Sequence, residues 1–334
     1  MIISGSTPCL KPLSYHDRIP SLMAGGEKLS PNVLKRREIY RKVLAPFVRT
    51  DINLPTENGF QEARKHVENG GGLILYAPHL DQVDPLAAYL PLYDMAQIFK
   101  NAPLVYPLAL HQGKLFGISV PKFTHSGGVE TKLIATESTI RKRKAKLEKR
   151  VKREESSPFY TSKDSKAKAI EQVKDRIKVP EKNEGFEEFA AAAEEALRNG
   201  GVVYAPVQPE RASKLEAPEE KPLGRLALLI KRKKIPNVGI LIVGMDVDHS
   251  KGYEKARGLN LGKTHTVTIG PFFTLEQTVQ LAGKETNLDA FMVENIVARL
   301  VNSSYLNPDM ARRLGEKLYI ETKERKKAQR DKAS

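Results

Sequence analysis

Two residues in the stretch Leu73-Ile-Leu-Tyr-Ala-Pro-His-Leu-Asp-Gln-Val-Asp-Pro can do proton chemistry together: His79 and Asp84. An imidazole braced by a carboxylate is a general base, able to take the proton of a hydroxyl near neutral pH. Five residues of separation would align the pair poorly on a continuous helix, whose faces repeat every three or four residues. On a strand-to-helix turn, the loop can fold the carboxylate back onto the ring. The flanking sequence supplies that turn. Leu73 to Ala77 is an apolar run after Gly70-Gly71-Gly72 and reads as a buried strand, while Pro85-Leu-Ala-Ala-Tyr reads as a helix start. Two competing readings stand beside this one. His79 could be a loop histidine with Asp81 or Asp84 capping the next helix. Alternatively, His79, Asp81 and Asp84 could hold a divalent metal in a hydrolase, although no second His or Asp cluster of equal clarity sits at a neighbouring strand exit.

The elements that must position this pair alternate between strand and helix. Pro31–Leu44 and Glu57–Glu68 read as helices, the first with its apolar residues on one face, fit to pack on the domain or to lie on anionic lipid. After the His79 turn, Leu86–Tyr93 reads as a helix, and Ala96–Lys100 and Leu104–Leu110 as buried strands. A glycine-punctuated turn and short element follow over 112–122. Residues 137–182 differ in composition, dense in Lys, Arg and Glu, and read as two charged helices or a partly disordered arm inserted into the domain. Glu184–Arg198 is a helix stopped by Asn199-Gly200-Gly201, and Val202–Ala205 a strand. Then come helix Gly224–Lys233, strands Asn237–Asp246 and Thr264–Ile269, and closing helices Asp289–Val301 and Pro308–Gln329. The pattern predicts an α/β fold with a mainly parallel or mixed central sheet flanked by helices. One internal echo bears on placement: Glu68-Asn-Gly-Gly-Gly-Leu-Ile-Leu-Tyr-Ala-Pro resembles Arg198-Asn-Gly-Gly-Val-Val-Tyr-Ala-Pro. Two such strands would present their following loops at one sheet edge, where sites of α/β proteins lie.

Composition bounds the function. The 334-residue chain can bury a substantial core. Its single cysteine, Cys9, excludes an internal disulfide and argues against a cysteine-based zinc site. No apolar run approaches the ~18–20 residues of a membrane-spanning helix, and the N-terminus has neither a basic leader nor an apolar core of a secretory signal. The expectation is a cytoplasmic chain, at most peripheral on the inner face of a membrane. A formal net charge of +15 implies an anionic partner: nucleic acid, anionic lipid or phosphorylated metabolites. Aromatics are sparse in the basic arm, so specific nucleic-acid binding by base stacking is not expected.

With the second loop in view, the chain resembles the glycerolipid acyltransferase family, which includes glycerol-3-phosphate and 1-acylglycerol-3-phosphate acyltransferases. That family carries a His, four residues and an Asp, matched here by His79 and Asp84. Its Phe-Pro-Glu-Gly-Thr-Arg-Ser loop is matched in degenerate form by Pro209-Glu210-Arg211-Ala212-Ser213. Lys221-Pro-Leu-Gly-Arg-Leu-Ala-Leu-Leu-Ile-Lys-Arg-Lys-Lys-Ile-Pro resembles its glycine-led helix that runs to a proline. The strand Val238–Gly244 fits its next block, and Ile269-Gly-Pro its late strand-exit turn. Departures are visible: Pro78 replaces the Asn before the His, the third block lacks Gly-Thr, and no cation cleanly matches the family's phosphate-holding Arg. Lys122 is the nearest, with Lys114 and His125 as alternatives.

The resemblance implies an acyltransferase α/β domain over 70–275 carrying the arm at about 137–182, an N-terminal helical region over 1–69, and C-terminal helices with a basic tail over 276–334. It implies transfer of an acyl group from acyl-CoA or acyl carrier protein to glycerol 3-phosphate or lysophosphatidic acid at an anionic membrane surface. His79 would be the base and Asp84 its orienting partner, with Arg211 and Lys122 on the acceptor phosphate and Pro209, Glu210 and Ser213 in the supporting loop. No metal and no cofactor is implied, the thioester being a substrate. Other fates for the loop residues are an ion pair of Arg211 with Glu210 or Glu216 and a turn cap for Ser213. The altered third block also fits an acyltransferase fold that binds lipid or anions without catalysis.

Overall fold

The computed structural model describes residues 29–44, 49–54, 57–79, 84–109, 114–115, 118–119, 124, 129–160, 162–181, 184–208, 214–216, 221–247, 264–283 and 287–333. Apolar runs too continuous to alternate become strands covered on both faces. Every residue of Gly72–Ala77 is buried, as are all but one of Val238–Val247. In chain order the strands are β1 (Arg49–Asn53), β2 (Gly72–Ala77), β3 (Leu104–Ala109), the short antiparallel pair β4 (Lys114–Leu115) and β5 (Ile118–Ser119), β6 (Val129–Ile134), β7 (Val202–Pro206), β8 (Val238–Val247) and β9 (Thr264–Thr274). Seven of them form one mixed sheet in the order β1-β9-β8-β2-β7-β3-β6. From β8 to β6 the strands are parallel; β9 runs antiparallel to β8 and carries β1 parallel to itself. The expected α/β class with a mixed sheet and flanking helices is what the chain adopts.

The helices are α1 (Pro31–Leu44), α2 (Glu57–Glu68), α3 (Asp84–Met95), α4 (Gln97–Asn101), α5 (Glu137–Glu155), α6 (Lys163–Arg176), α7 (Phe186–Arg198), α8 (Pro222–Lys233), α9 (Leu275–Ala282), α10 (Leu288–Asn295) and α11 (Pro308–Ala333). From β2 the chain passes one strand, β7, to reach β3, and from β7 it passes β2 in the other direction to reach β8. Right-handed crossovers in opposite directions put α3 and α4 on one face of the sheet and α8 on the other. Side-chain packing agrees. On the first face Phe60 of α2 packs against Phe99 of α4, the rings tilted with centroids 6.1 Å apart, and Arg37 of α1 donates to the carbonyls of Lys100 and Ala102 at 3.0 and 2.7 Å. On the second, Arg198 and Lys233, at the ends of α7 and α8, both pair with Glu194. The core cluster runs from these strands into the C-terminal part, taking in Met292, Val293, Val297, Tyr305 and Met310.

Three of the expected elements take a different form. Ala96–Lys100, read as a strand, forms the short helix α4. Its apolar run is too short to reveal a period, and the helical turn buries Phe99 completely while its carbonyl accepts the hydroxyl of Tyr89. Ile269-Gly270-Pro271, read as a strand exit, lies inside β9, which runs on to Thr274. The ladder shifts register between Leu241 and Val243 opposite this point, and such an irregularity admits a proline within a strand. Close approach also requires glycine beneath it: a Cβ at Gly59 of α2 would stand 2.0 Å from the carbonyl oxygen of Gly270. The expected helix Asp289–Val301 stops at Asn295, where Ile296 leaves helical geometry (φ −122°) and a 3-10 turn buries Val297 and Ala298.

The charged segment after β6 forms α5 and α6, two helices packed on each other. Thr136 and Ser162 cap them, each accepting from the backbone N–H three residues on. The neck is closed where the N–H of Ala135 donates to the carbonyl of Glu184 at 2.8 Å. Gly185 follows at φ 85°, pressed so close to the carbonyl of Leu133 that a Cβ would stand 1.9 Å away.

Candidate active site

The echo between the two Tyr-Ala-Pro strands is realised as direct pairing. β2 and β7 are parallel neighbours, with Leu73 beside Val202 and Ala77 beside Pro206. Pairing continues one residue beyond the strands, since the N–H of Val207 donates to the carbonyl of Ala77 at 2.8 Å. Both chains therefore leave the sheet side by side at its C-terminal edge. They then diverge: β2 leads toward α3 on one face, and β7 toward α8 on the other. A pair of neighbouring strands whose connections leave on opposite faces opens a crevice between them, the usual ligand position in an α/β sheet.

His79 stands at this exit, half-buried, directly after Pro78. Tyr204 of β7 fixes the preceding peptide: its buried hydroxyl donates to the carbonyl of Pro78 at 3.1 Å. Asp84 is the first residue of α3, so the two expected partners flank the turn between β2 and α3. The side chain of Asp84, the turn residues 80–83 with Asp81, and hence the relation of carboxylate to ring lie outside the described residues. Lys122, His125, Pro209, Glu210, Arg211 and Ser213 lie outside them as well, as does the side chain of Lys114.

The two ends of the 209–213 loop are described, and both are pinned near the exit. Gln208, buried, donates from Nε2 to the carbonyl of Lys214 at 3.2 Å and so closes the loop across its base. Leu215 then pairs with the C-terminal segment: its N–H donates to the carbonyl of Tyr305 at 2.8 Å, and its carbonyl accepts the N–H of Asn307 at 3.1 Å. Further on, α8 is tied down by a buried carboxylate. Asp289 accepts the N–H groups of Leu223 and Gly224, each at 2.9 Å, and the hydroxyl of Tyr76 at 3.0 Å. Burial pushes the Asp289 carboxyl above its ordinary range, against the pull of these three donors. Burial, and then the neighbouring Asp289, push the Tyr76 hydroxyl well up.

Tyr204, Gln208 and Asp289 did not stand out in the sequence. The echo contained a signal for Tyr204, but the two motifs pair with a one-residue offset: Tyr76 sits beside Ala205, and Tyr204 beside Leu75. A one-residue offset turns a side chain to the opposite face. Tyr76 accordingly reaches Asp289, while Tyr204 reaches the peptide before His79.

An open cleft of about 1380 Å³ lies elsewhere, between α8 and α9. It is lined by Lys234, Asn237 and Val238, where β8 begins, and by Thr274, where the antiparallel β9 ends. It also runs along α8 to Lys221 and Gly224 at the start of that helix, where Gly224 donates to Asp289. Among the described residues no group of three or more His, Cys, Asp or Glu gathers as metal ligands, and no helix is long and apolar enough to cross a membrane. The chain matches no protein-family model and no curated protein sequence.

Proposed function

We propose that the chain is an acyltransferase, moving a fatty acyl group from acyl-CoA or acyl carrier protein to a hydroxyl of glycerol 3-phosphate or lysophosphatidic acid. His79 takes the hydroxyl proton as the oxygen attacks the thioester carbonyl. The tetrahedral centre then collapses, the carbon–sulfur bond breaks, and the imidazolium returns the proton to the departing thiolate. Asp84 holds the ring in the right tautomer and steadies its transient charge. Arg211, with Lys122, grips the acceptor phosphate, for which a planar guanidinium is well shaped, while Pro209, Glu210 and Ser213 form the loop around it. The route needs no nucleophile on the enzyme, in keeping with a chain whose single cysteine is Cys9. Acting on lipid acceptors, the enzyme works from the cytoplasm at the anionic inner face of a membrane.

One observation carries this reading: β2 and β7, far apart in sequence, are neighbours in register, so the His79 turn and the loop beginning at Gln208 leave the same edge of the sheet. The test is release of free thiol from each donor by the purified chain, with each acceptor supplied in turn. Thiol release that requires an acceptor, matches acylated product one to one and persists in chelator is the expected result. Vesicle binding without thiol release from any pair would make the chain a lipid-binding protein instead. Loss of turnover in chelator would move His79, Asp81 and Asp84 to metal chemistry.

A further inference from the structure

The arm formed by α5 and α6 has no part in the acyl-transfer chemistry. Between Glu137 and Arg176 it carries fourteen Lys and Arg against seven Asp and Glu. Its two helices pack on each other, and α6 buries none of its residues. At the apex the chain reverses through Ser156-Ser157-Pro158-Phe159-Tyr160, and Phe159 is 87% exposed, the highest value of any large apolar side chain among the described residues. The reversal is held rather than loose. Ser156 bonds back to the carbonyl of Lys152 at 2.9 Å, the N–H of Phe159 donates to Ser157 Oγ at 3.4 Å, and Tyr160 donates its hydroxyl to Glu154. The phenylalanine ring is thus presented to solvent by a built turn, with Lys152, Arg153 and Lys163 exposed on either side of it.

We propose that the arm is a membrane anchor: Phe159 enters the interface of an anionic bilayer while the cations beside the apex meet lipid phosphates. An aromatic ring ringed by Lys and Arg is the composition that binds such an interface, the ring supplying burial and the cations attraction. A nucleic acid fits less well, because the arm's aromatics are confined to Phe159 and Tyr160 at the apex and neither helix carries one to extend a stack of bases. The arm also springs from the edge where the site lies. β6 is parallel to β3, β7 and β2, so Ile134 ends at the same side of the sheet as Ala77, three strand spacings away, or about 14 Å. The anchor stands on the arm's own features; that it delivers lipid acceptor to His79 rests on the acyl-transfer reading.

The chain has no tryptophan, so Phe159→Trp in the full-length protein puts one fluorophore at the apex. With vesicles of phosphatidylglycerol and phosphatidylcholine, its emission is expected to shift to the blue and to be quenched by brominated acyl chains. Half-saturation should need at least tenfold less lipid than with phosphatidylcholine alone, and the difference should shrink as salt is raised. Phe159→Ser should weaken vesicle sedimentation about tenfold with unchanged Tm. It should retain turnover of dissolved glycerol 3-phosphate while losing about tenfold on lysophosphatidic acid held in vesicles. Emission that anionic vesicles leave unmoved, or sedimentation of Phe159→Ser equal to wild type, overturns the anchor. Emission that responds to duplex RNA but not to vesicles overturns it in favour of nucleic acid. Insertion without thioester turnover leaves the anchor and removes the acyl-transfer reading; turnover without insertion does the reverse.

Discussion

The peptide joining Pro78 to His79 is held from the neighbouring strand, and Tyr204 is the side chain that holds it. Its phenol bonds backbone, which would make it a positioning residue for the proposed base. Tyr204→Phe removes a buried hydrogen bond worth about 1 kcal/mol. If that bond sets the direction of the imidazole, kcat for thiol release should fall several-fold with KM within twofold of wild type. A lower Tm with unchanged kcat would leave Tyr204 only a structural part. His79 and Asp84 stand as candidates on residue type and spacing, because the chemistry they suggest is local. Tyr204 does not, because tyrosine in an apolar strand reads as filling, and the value of its hydroxyl depends on which strand lies beside it. Gln208 was hidden for a similar reason: its partner, the carbonyl of Lys214, becomes close only once the loop has closed.

Helix α8 begins without a side-chain cap of its own, Lys221 supplying none and Pro222 following it. Its free N–H groups are met from far along the chain by Asp289, which is fully buried. Removing that carboxylate strands two backbone donors and the Tyr76 hydroxyl, so Asp289→Ala should cost at least ~3 kcal/mol in thermal or denaturant unfolding. Tyr76→Phe should cost about 1 kcal/mol, and the double variant should fall well short of the sum. Strict additivity would contradict a shared network. At this scale much was legible: α1 and α2 match their expected ends residue for residue, and β2, β7 and β8 came within a residue or two. The failures have physical causes. β1 (Arg-Thr-Asp-Ile-Asn) has no apolar pattern because it is an exposed edge strand, defined by pairing with β9. β9 outruns its expected length because the irregularity opposite Leu241–Val243 lets it pass Gly270 and Pro271.

The whole molecule is arranged around one edge of one sheet. Neighbouring strands drawn from positions 72–77 and 202–206 lead from there to helices on opposite faces, and the basic arm departs from the same edge. The α/β class followed from the alternation of elements, and the shared edge from the Tyr-Ala-Pro echo. Strand order and the one-residue offset between the echoes did not, because both depend on pairing between distant segments that no local period encodes. The most direct measurement is the rate of thioester cleavage by His79→Ala against wild type, at equal Tm and with saturating acceptor. If the imidazole at the β2 exit is the base, the rate should drop about a thousandfold. A rate within a few-fold of wild type would contradict it.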